Sequence, residues 1–192
     1  MGAQADIVYD VDYCVIGSGC SGLVSAARAA ELGLKVVVLE AYPTPGGSFF
    51  GTEAHYYLNG RAIEGSGIKA FSEKDALKQH LGFNNYSCDG RVTSAFMQKH
   101  GQAIDWMLDQ GVEVDCILTG EGGIGENGGV TGIMFKGKAR GAFKYIKDAA
   151  DKNGVEILCK TRAKQLIKED GVVKGVIAVQ NWDEDEAEQK TV

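Results

Sequence analysis

Hydrophobic and polar positions follow a regular pattern over the first forty residues. Two short, mostly apolar runs at 12–16 and 35–40 are typical of strands buried in a parallel sheet. Between them, residues 20–32 carry a face of alanines at helical spacing, and Gly33 suits the end of a helix. A strand, a helix and a second strand within about thirty residues predict a βαβ unit with a right-handed crossover.

Helical spacing of apolar residues continues farther along the chain. It predicts three more helices, at 72–81, 94–110 and 139–154. Gly111 and Gly154 mark the ends of the last two helices. The face predicted to be buried in the middle helix consists of Phe96, His100, Ala103, Ile104, Met107 and Leu108.

Shorter apolar runs predict the remaining strands. We expect strands at 112–118 and 155–160, and a hairpin over 162–180 that turns at Asp170-Gly171. The last three residues, 190–192, are expected to begin a third strand of that hairpin.

Three segments show neither the apolar spacing of a helix nor the apolar run of a strand, and they are expected to lie outside helices and strands. Residues 41–60 hold both prolines, and residues 120–132 hold seven glycines, which indicates a flexible loop. Residues 183–188 carry five carboxylates and are expected to form a solvated turn. No internal repeat or linker divides the sequence, so we expect one domain over residues 1–192.

Composition narrows the class of protein. The chain has 192 residues, 44% of them hydrophobic and 24% charged, which is typical of a globular domain with its own core. Its net charge of −6 argues against a general affinity for nucleic acid or anionic membranes. From the absence of a long apolar run and of a basic, then apolar N-terminus, we expect no membrane span and no secretory signal.

Cysteine usage points to a reducing compartment. The five cysteines are an odd number, and none has C-x-x-C, haem-attachment or zinc spacing. We therefore expect reduced thiols and a cytoplasmic protein. Export of the folded protein to an oxidising compartment is the alternative that the sequence leaves open.

A glycine fingerprint joins the first strand to the first helix. Gly17, Gly19 and Gly22 have the spacing G-x-G-x-x-G in the strand–turn–helix context in which this motif binds a dinucleotide. Gly17 permits the tight turn, Gly19 lets a pyrophosphate approach the backbone, and Gly22 lets the helix pack close to the sheet. The pyrophosphate is expected on the free N–H groups at the start of the helix.

Glu40 ends the second strand, about twenty residues after the fingerprint. Its carboxylate is expected to accept hydrogen bonds from both hydroxyls of an adenosine ribose and to repel a 2′-phosphate, which disfavours NADP. FAD and NAD share the adenosine half of the molecule, so these residues alone leave both cofactors open.

Paired glycines favour FAD. Gly46, Gly47 and Ser48 begin six residues past Glu40, and this order resembles the FAD-binding oxidoreductases of the glutathione-reductase-like fold. The helix and strand segments at 95–115 and 139–179 are similar to those of the fumarate reductase and succinate dehydrogenase flavoproteins, a family that includes urocanate reductases and ketosteroid dehydrogenases. Most of residues 11–180 share the resemblance, which identifies the chain as the N-terminal portion of that family's FAD-binding domain.

The resemblance implies a fold and a cofactor. The fold is α/β, of the FAD/NAD(P)-binding, Rossmann-like, glutathione-reductase type: a parallel sheet with helices and an antiparallel β-hairpin, incomplete in this chain. The cofactor is FAD, bound non-covalently, because the surroundings of His55 do not match the motif of relatives that attach FAD through a histidine. The resemblance implies that four groups of residues bind FAD. The pyrophosphate would contact Gly17, Ser18, Gly19, Cys20, Ser21 and Gly22, and the adenosine would contact Glu40 and Ala41. The flavin side would contact Gly46, Gly47 and Ser48, and the adenine would contact Ala163.

Two departures from the family bear on the flavin side. Phe49 and Phe50 stand where the family has a run of small residues beside the flavin ring. The arginines and histidines that hold and protonate the substrate in the family belong to a capping domain and to a returning flavin segment, both of which are absent here. We therefore name no catalytic residue, and no metal site is indicated.

The implied function is that of a flavoprotein oxidoreductase. Such a protein transfers a hydride or electrons to or from a carbon–carbon bond of a small substrate, and we expect this chain not to be competent alone. An exposed sheet edge is expected to cause self-association or binding of a partner chain that completes the fold. A non-catalytic FAD-binding or interaction module is the alternative, and an NAD-dependent dehydrogenase is a further one.

Overall fold

A computed structural model describes residues 5–70, 72–119, 130–185 and 189–192. The described residues form four α-helices and three sheets of three strands each. They group into two compact units, of which the first comprises Met1–Phe50 with Ile146–Val192 and the second Gly51–Tyr145.

The first unit contains the predicted βαβ unit. The chain forms β1 (Tyr13–Ile16), α1 (Cys20–Glu31) and β2 (Val36–Leu39), and β6 (Glu156–Leu158) pairs with the free side of β2. These three strands are parallel, in the order β1-β2-β6. All four residues of β2 are buried, as expected for the central strand of a parallel sheet.

Small side chains let α1 approach this sheet. Leu23, Ala26, Ala27 and Ala30 form the buried face of the helix, which contacts β1 and β2. Gly33 follows the helix with φ of +91°, in the left-handed region that glycine adopts without a steric penalty.

An antiparallel hairpin covers part of the parallel sheet. It consists of β7 (Thr161–Glu169) and β8 (Val172–Gln180), and β9 (Lys190–Thr191) adds a third strand to β8. Asp170 and Gly171 both have positive φ, as a two-residue turn between twisted strands requires. A core cluster forms where sheet and hairpin meet, from Val37, Leu39, Leu158 and Ala178. The predicted parallel sheet with helices and an antiparallel hairpin is therefore confirmed.

The second unit is built from short strands and helices. Its strands β3 (His55–Tyr56), β4 (Val114–Thr119) and β5 (Val130–Phe135) pair in the antiparallel order β3-β5-β4. The helices α2 (Glu73–Phe83) and α3 (Gly90–Asp109) precede β4. A further helix, α4 (Lys138–Lys152), follows β5, and its residues from Ile146 onward are assigned to the first unit.

Several predicted boundaries and one predicted face were wrong. The α3 helix begins at Gly90 instead of residue 94, because the Asp89 carboxylate caps it by accepting from the N–H of Arg91 at 2.8 Å. Its buried residues are Thr93, Met97, His100, Gly101, Ile104 and Met107, whereas Phe96 and Ala103 of the predicted face are exposed.

Two segments expected to be loops also contain strands. β3 lies within 41–60, where Gly47–Gly51 also forms a short 3-10 turn. A second such turn, Arg61–Ile63, directly follows this segment. β5 begins inside the glycine-rich segment 120–132. The remainder of that segment, residues 120–129, lies outside the described residues, as do Glu186 and Glu188 of the expected acidic turn.

Candidate functional site

The glycine turn lies between β1 and α1. Gly17 has φ of +93°, and its N–H donates to the Leu39 carbonyl at 2.8 Å, which ties the turn to the end of β2. Gly19 precedes the first residue of α1, and a methyl group placed on it would meet no heavy atom within 4 Å. The backbone at Gly19 therefore borders open space.

Gly22 packs as the fingerprint requires. A Cβ at this position would lie 1.9 Å from the Gly17 carbonyl oxygen and 3.3 Å from a methyl group of Val15. The first turn of α1 consequently lies against the glycine turn itself, and only glycine fits there.

The N-terminus of α1 carries no capping side chain. The N-cap residue is Gly19, which has no side chain that could accept a hydrogen bond from the first turn. The first turn also contains no acidic residue. Its N–H groups lie at the positive end of the helix dipole, where an anionic group is stabilised. Ser21 on this turn is exposed.

Cys20 is the first residue of α1. Burial raises the pKa of its thiol above the ordinary value of 9.0. Because the thiolate is the nucleophile, a raised pKa disfavours nucleophilic chemistry at Cys20 at neutral pH.

Ser18 joins the glycine turn to Glu40. Both its N–H, at 2.9 Å, and its hydroxyl, at 2.5 Å, donate to Oε2 of the Glu40 carboxylate. The hydroxyl in turn accepts from the N–H of Gly46 at 3.2 Å. Ser18 is fully buried, so its side chain holds three segments of the chain together.

Glu40 is a buried carboxylate satisfied largely by the protein. It is 6% exposed, and its second oxygen, Oε1, accepts from the N–H of Tyr42 at 2.9 Å. Burial raises the pKa of Glu40, but hydrogen bonds from Ser18, Tyr42 and the Ala41 backbone lower it by more, so it lies below its ordinary value of 4.5. Donors of the protein therefore occupy most of the acceptor positions on the carboxylate.

The paired glycines differ in their surroundings. Gly46 is buried with φ of +119°, and a Cβ on it would lie 2.5 Å from the Phe50 ring. Gly47 has φ of +52° and open space around it, and Ser48 is exposed. Phe49 is 4% exposed, so it belongs to the core.

The last two candidates lie near the ends of β2 and β7. Ala41 accepts a hydrogen bond at 2.6 Å from the indole Nε1–H of Trp182. Ala163 pairs with Ala178 in the hairpin and packs against the core cluster that includes Leu39. Residue spacing does not indicate this contact, because the partner of a tryptophan in an acidic turn lies far away along the chain.

All twelve candidate residues belong to the first unit. Hydrogen bonds bring Ser18, Glu40 and Gly46 into one network, whereas Ala163 is connected to it through packing. His55 belongs to the second unit, where its ring lies 4.8 Å from that of Phe135.

The described ranges also bear on metal binding, membrane insertion and disulfide formation. No three His, Cys, Asp or Glu side chains gather there in a way that could hold a metal ion. None of the described helices combines the length and apolar composition needed to cross a bilayer. All five cysteines are free thiols.

Comparison with known proteins gives a family and a fold. The family described as FAD binding domain matches residues 12–192. A vinyl phenol reductase from Lactiplantibacillus plantarum is 30% identical over 86% of the chain, and an NADH:fumarate oxidoreductase from Klebsiella pneumoniae is 25% identical over 86%. The chain spans 33% of the length of the first relative and 18% of the second.

Solved structures share the fold. A 3-ketosteroid-Δ4-(5α)-dehydrogenase from Rhodococcus jostii matches 98% of this chain with a TM-score of 0.76 at 19% identity. This chain covers 44% of that protein. The likeness supports the Rossmann-like FAD-binding fold predicted from the sequence.

Proposed function

Because this chain belongs to the FAD binding domain family of the fumarate reductase and succinate dehydrogenase flavoproteins, we propose that it is the FAD-binding part of a flavoprotein oxidoreductase. Bound FAD would supply the chemistry, accepting or donating a hydride at its flavin ring. This chain's own residues would hold the adenosine diphosphate half and orient the flavin.

The observation that carries the proposal is the network around Ser18. It connects the glycine turn, the acid at the end of β2 and the paired glycines. If FAD is the cofactor, the glycine turn would bind its pyrophosphate, the acid would bind its ribose, and the paired glycines would lie beside its flavin side. The open space beside Gly19 and the uncapped end of α1 suit a pyrophosphate.

We propose a carbon–carbon bond of a small molecule as the site of reaction. Fumarate and vinyl phenols, after which the two relatives are named, each contain a carbon–carbon double bond. The groups that bind and protonate such a substrate are not identified in this chain, so we expect no turnover from it alone.

Non-covalent FAD and a cytoplasmic location are further parts of the proposal. The residues around His55 do not match the motif of relatives that attach FAD through a histidine, which supports non-covalent binding. Five free thiols are typical of a protein in a reducing compartment.

The first prediction compares two glycines of the fingerprint by FAD titration and chemical denaturation. Gly19→Ala places a methyl group in open space at an ordinary φ of −63°, so the free energy of unfolding should change by less than about 0.5 kcal/mol. FAD affinity should fall at least about tenfold, because the methyl group blocks the approach of the pyrophosphate. Gly22→Ala, by contrast, should destabilise the fold itself by about 2 kcal/mol or more.

Four outcomes would contradict parts of the proposal. Unchanged FAD affinity in Gly19→Ala would remove the pyrophosphate from this turn. Binding of NADH in place of FAD would favour the dehydrogenase, and fumarate reduction by the chain alone would contradict our expectation of no turnover. FAD that remains with the protein after denaturing extraction would overturn non-covalent binding.

A further inference from the structure

Trp182 makes a specific contact with the candidate site. It lies two residues past the end of β8, and its indole Nε1–H donates to the carbonyl oxygen of Ala41 at 2.6 Å. The guanidinium carbon of Arg162 lies 3.4 Å from the centre of the indole ring, in a stacked arrangement. Such a contact orients the ring and adds a cation–π attraction.

The carbonyl that accepts this hydrogen bond belongs to the same peptide group as an N–H that donates to Glu40. The Ala41 carbonyl and the Tyr42 N–H belong to the same peptide plane, and that N–H donates to Glu40 Oε1 at 2.9 Å. A chain of hydrogen bonds therefore runs from the indole through one peptide to the carboxylate. Donation to the carbonyl polarises the peptide and makes its N–H a stronger donor.

Neighbouring backbone bonds restrain this turn at other points. The Thr161 N–H donates to the Glu40 carbonyl at 2.8 Å, and the Lys160 N–H donates to the Tyr42 carbonyl at 3.0 Å. These two bonds flank the Ala41–Tyr42 peptide without contacting either of its polar atoms. The indole is the group that sets the orientation of that peptide.

We infer that Trp182 is a positioning residue, which orients the Glu40 carboxylate toward the adenosine ribose through the Ala41–Tyr42 peptide. The inference rests on the proposed function, since it assigns Trp182 to the adenosine side of the same site. Ser18 donates to one carboxylate oxygen and the Tyr42 N–H to the other, so these bonds hold the Glu40 side chain in one orientation. Trp182 therefore acts on recognition of the ribose hydroxyl and not on the pyrophosphate.

The first test uses the unsubstituted chain and nuclear magnetic resonance. Protonation of Glu40 weakens its bond to the Tyr42 N–H, and the change passes through the peptide to the indole. The Nε1–H resonance of Trp182 and the amide resonance of Tyr42 should shift with one common midpoint, below pH 4.5. The Cys159 thiol, whose pKa is raised by burial and by the Glu40 charge, stays protonated in this range and adds no step of its own.

A variant identifies the source of that step. In Glu40→Gln the common shift should vanish from both resonances. The carboxylates of Asp183 and Glu184 directly follow Trp182, so only a step that both resonances share reports on Glu40. The absence of a shared midpoint, or a shared step that survives in Glu40→Gln, would overturn the inference without any ligand being present.

The second test removes only the indole N–H. Trp182→Phe keeps an aromatic ring for Arg162 to stack on, and we expect it to weaken ADP and FAD binding about five- to tenfold. Affinity for 2′,3′-dideoxy-ADP, which lacks both ribose hydroxyls, should change less than about twofold. Trp106→Phe, which removes the tryptophan of α3 in the second unit, is the matched control and should change neither affinity.

The outcomes distinguish this inference from the proposed function. Equal losses for ADP and dideoxy-ADP would mean that Trp182 only supports the local fold, and would overturn the inference while FAD binding stands. Failure of the unsubstituted chain to bind FAD would overturn the proposed function and the role of Trp182 with it. Should Trp182→Phe not fold, Arg162→Met, which leaves the indole unstacked, should show the same selective loss at a smaller size, and a non-selective loss would overturn the inference.

Discussion

At the scale of single residues, burial and hydrogen bonding decide which partner each residue of a motif contacts. Ser18 and Glu40 are both predicted to bind the cofactor, and within the protein Ser18 is fully buried and donates its N–H and hydroxyl to Glu40. Glu40 stays ionised in a buried place because those donors outweigh its desolvation. The residue types were readable from the sequence, whereas their partners were not, because each partner lies in another segment.

His100 shows the same effect in the second unit. It is 5% exposed, its Nε2 accepts from the Leu58 N–H at 3.0 Å, and its Nδ1 donates to the Met97 carbonyl at 3.0 Å. The ring is therefore neutral, with the proton on Nδ1. Burial lowers the pKa of His100 below its ordinary value of 6.5, although its bonds to the Phe96 and Met97 carbonyls oppose that change.

A pH dependence of stability follows from His100. As pH falls below 6.5 the unfolded chain takes up the proton before the folded chain, so the free energy of unfolding should decrease toward pH 5. His100→Gln should be about 1 to 3 kcal/mol less stable at pH 7.5 and should lose this part of the pH dependence, as measured by urea denaturation. His80→Gln, in α2, is the matched control, and an unchanged slope in His100→Gln would contradict the assignment.

Elements show where helical periodicity is informative and where it fails. The apolar spacing of residues 94–110 correctly predicted a helix, but the buried face is turned toward Met97 and Gly101, away from Phe96 and Ala103. The side of a helix that is buried depends on what packs against it. In α3 that partner is the segment at Leu58 and Asn59, which a single-helix pattern does not contain.

Gly101 provides a test of this packing. A Cβ there would lie 2.5 Å from the Asn59 side-chain oxygen and 2.7 Å from its carbonyl oxygen. Gly101→Ala should therefore lower the free energy of unfolding by about 1 to 3 kcal/mol, although alanine is the better helix former. Gly82→Ala in α2, where a Cβ would meet nothing within 4 Å, is the control and should stabilise by up to about 1 kcal/mol. A stabilising Gly101→Ala would contradict the close approach.

The whole molecule places the twelve candidate residues in one of two compact units. That unit also presents apolar side chains to solvent. In β1, which pairs only with β2 among the described strands, Tyr13 is 40% and Ile16 is 56% exposed. The far part of the hairpin exposes Leu166, Ile167, Val172 and Val173.

Association of the chain with itself or with a partner stays a prediction, now tied to the β1 edge. A parallel strand with a free edge and exposed apolar side chains favours pairing with a further strand. Sedimentation of the purified chain should show a mass above the monomer, and Tyr13→Lys should reduce it. Leu32→Lys, at a more exposed apolar site just beyond α1, is the control and should leave the mass unchanged. A monomer at all concentrations would contradict the prediction.

Local order along the chain was enough to specify much of this protein. Buried runs and alanine spacing predicted the βαβ unit, and Asp170-Gly171 predicted the hairpin turn, because backbone preference and side-chain period act over a few residues. The glycine fingerprint and Glu40 indicated the cofactor class for the same reason. Each glycine is required by the local geometry of the turn, and the acid follows at a fixed distance along the chain.

Contacts between distant residues decided the rest. Ser18 meets Glu40 across 22 positions and Trp182 meets Ala41 across 141, so no local pattern records either bond. The face of α3 and the strand β5 likewise depend on partners elsewhere in the chain. Burial removes water as a competing partner, and each buried polar group must then find its hydrogen bond in the folded chain, where only the three-dimensional arrangement sets which group that is.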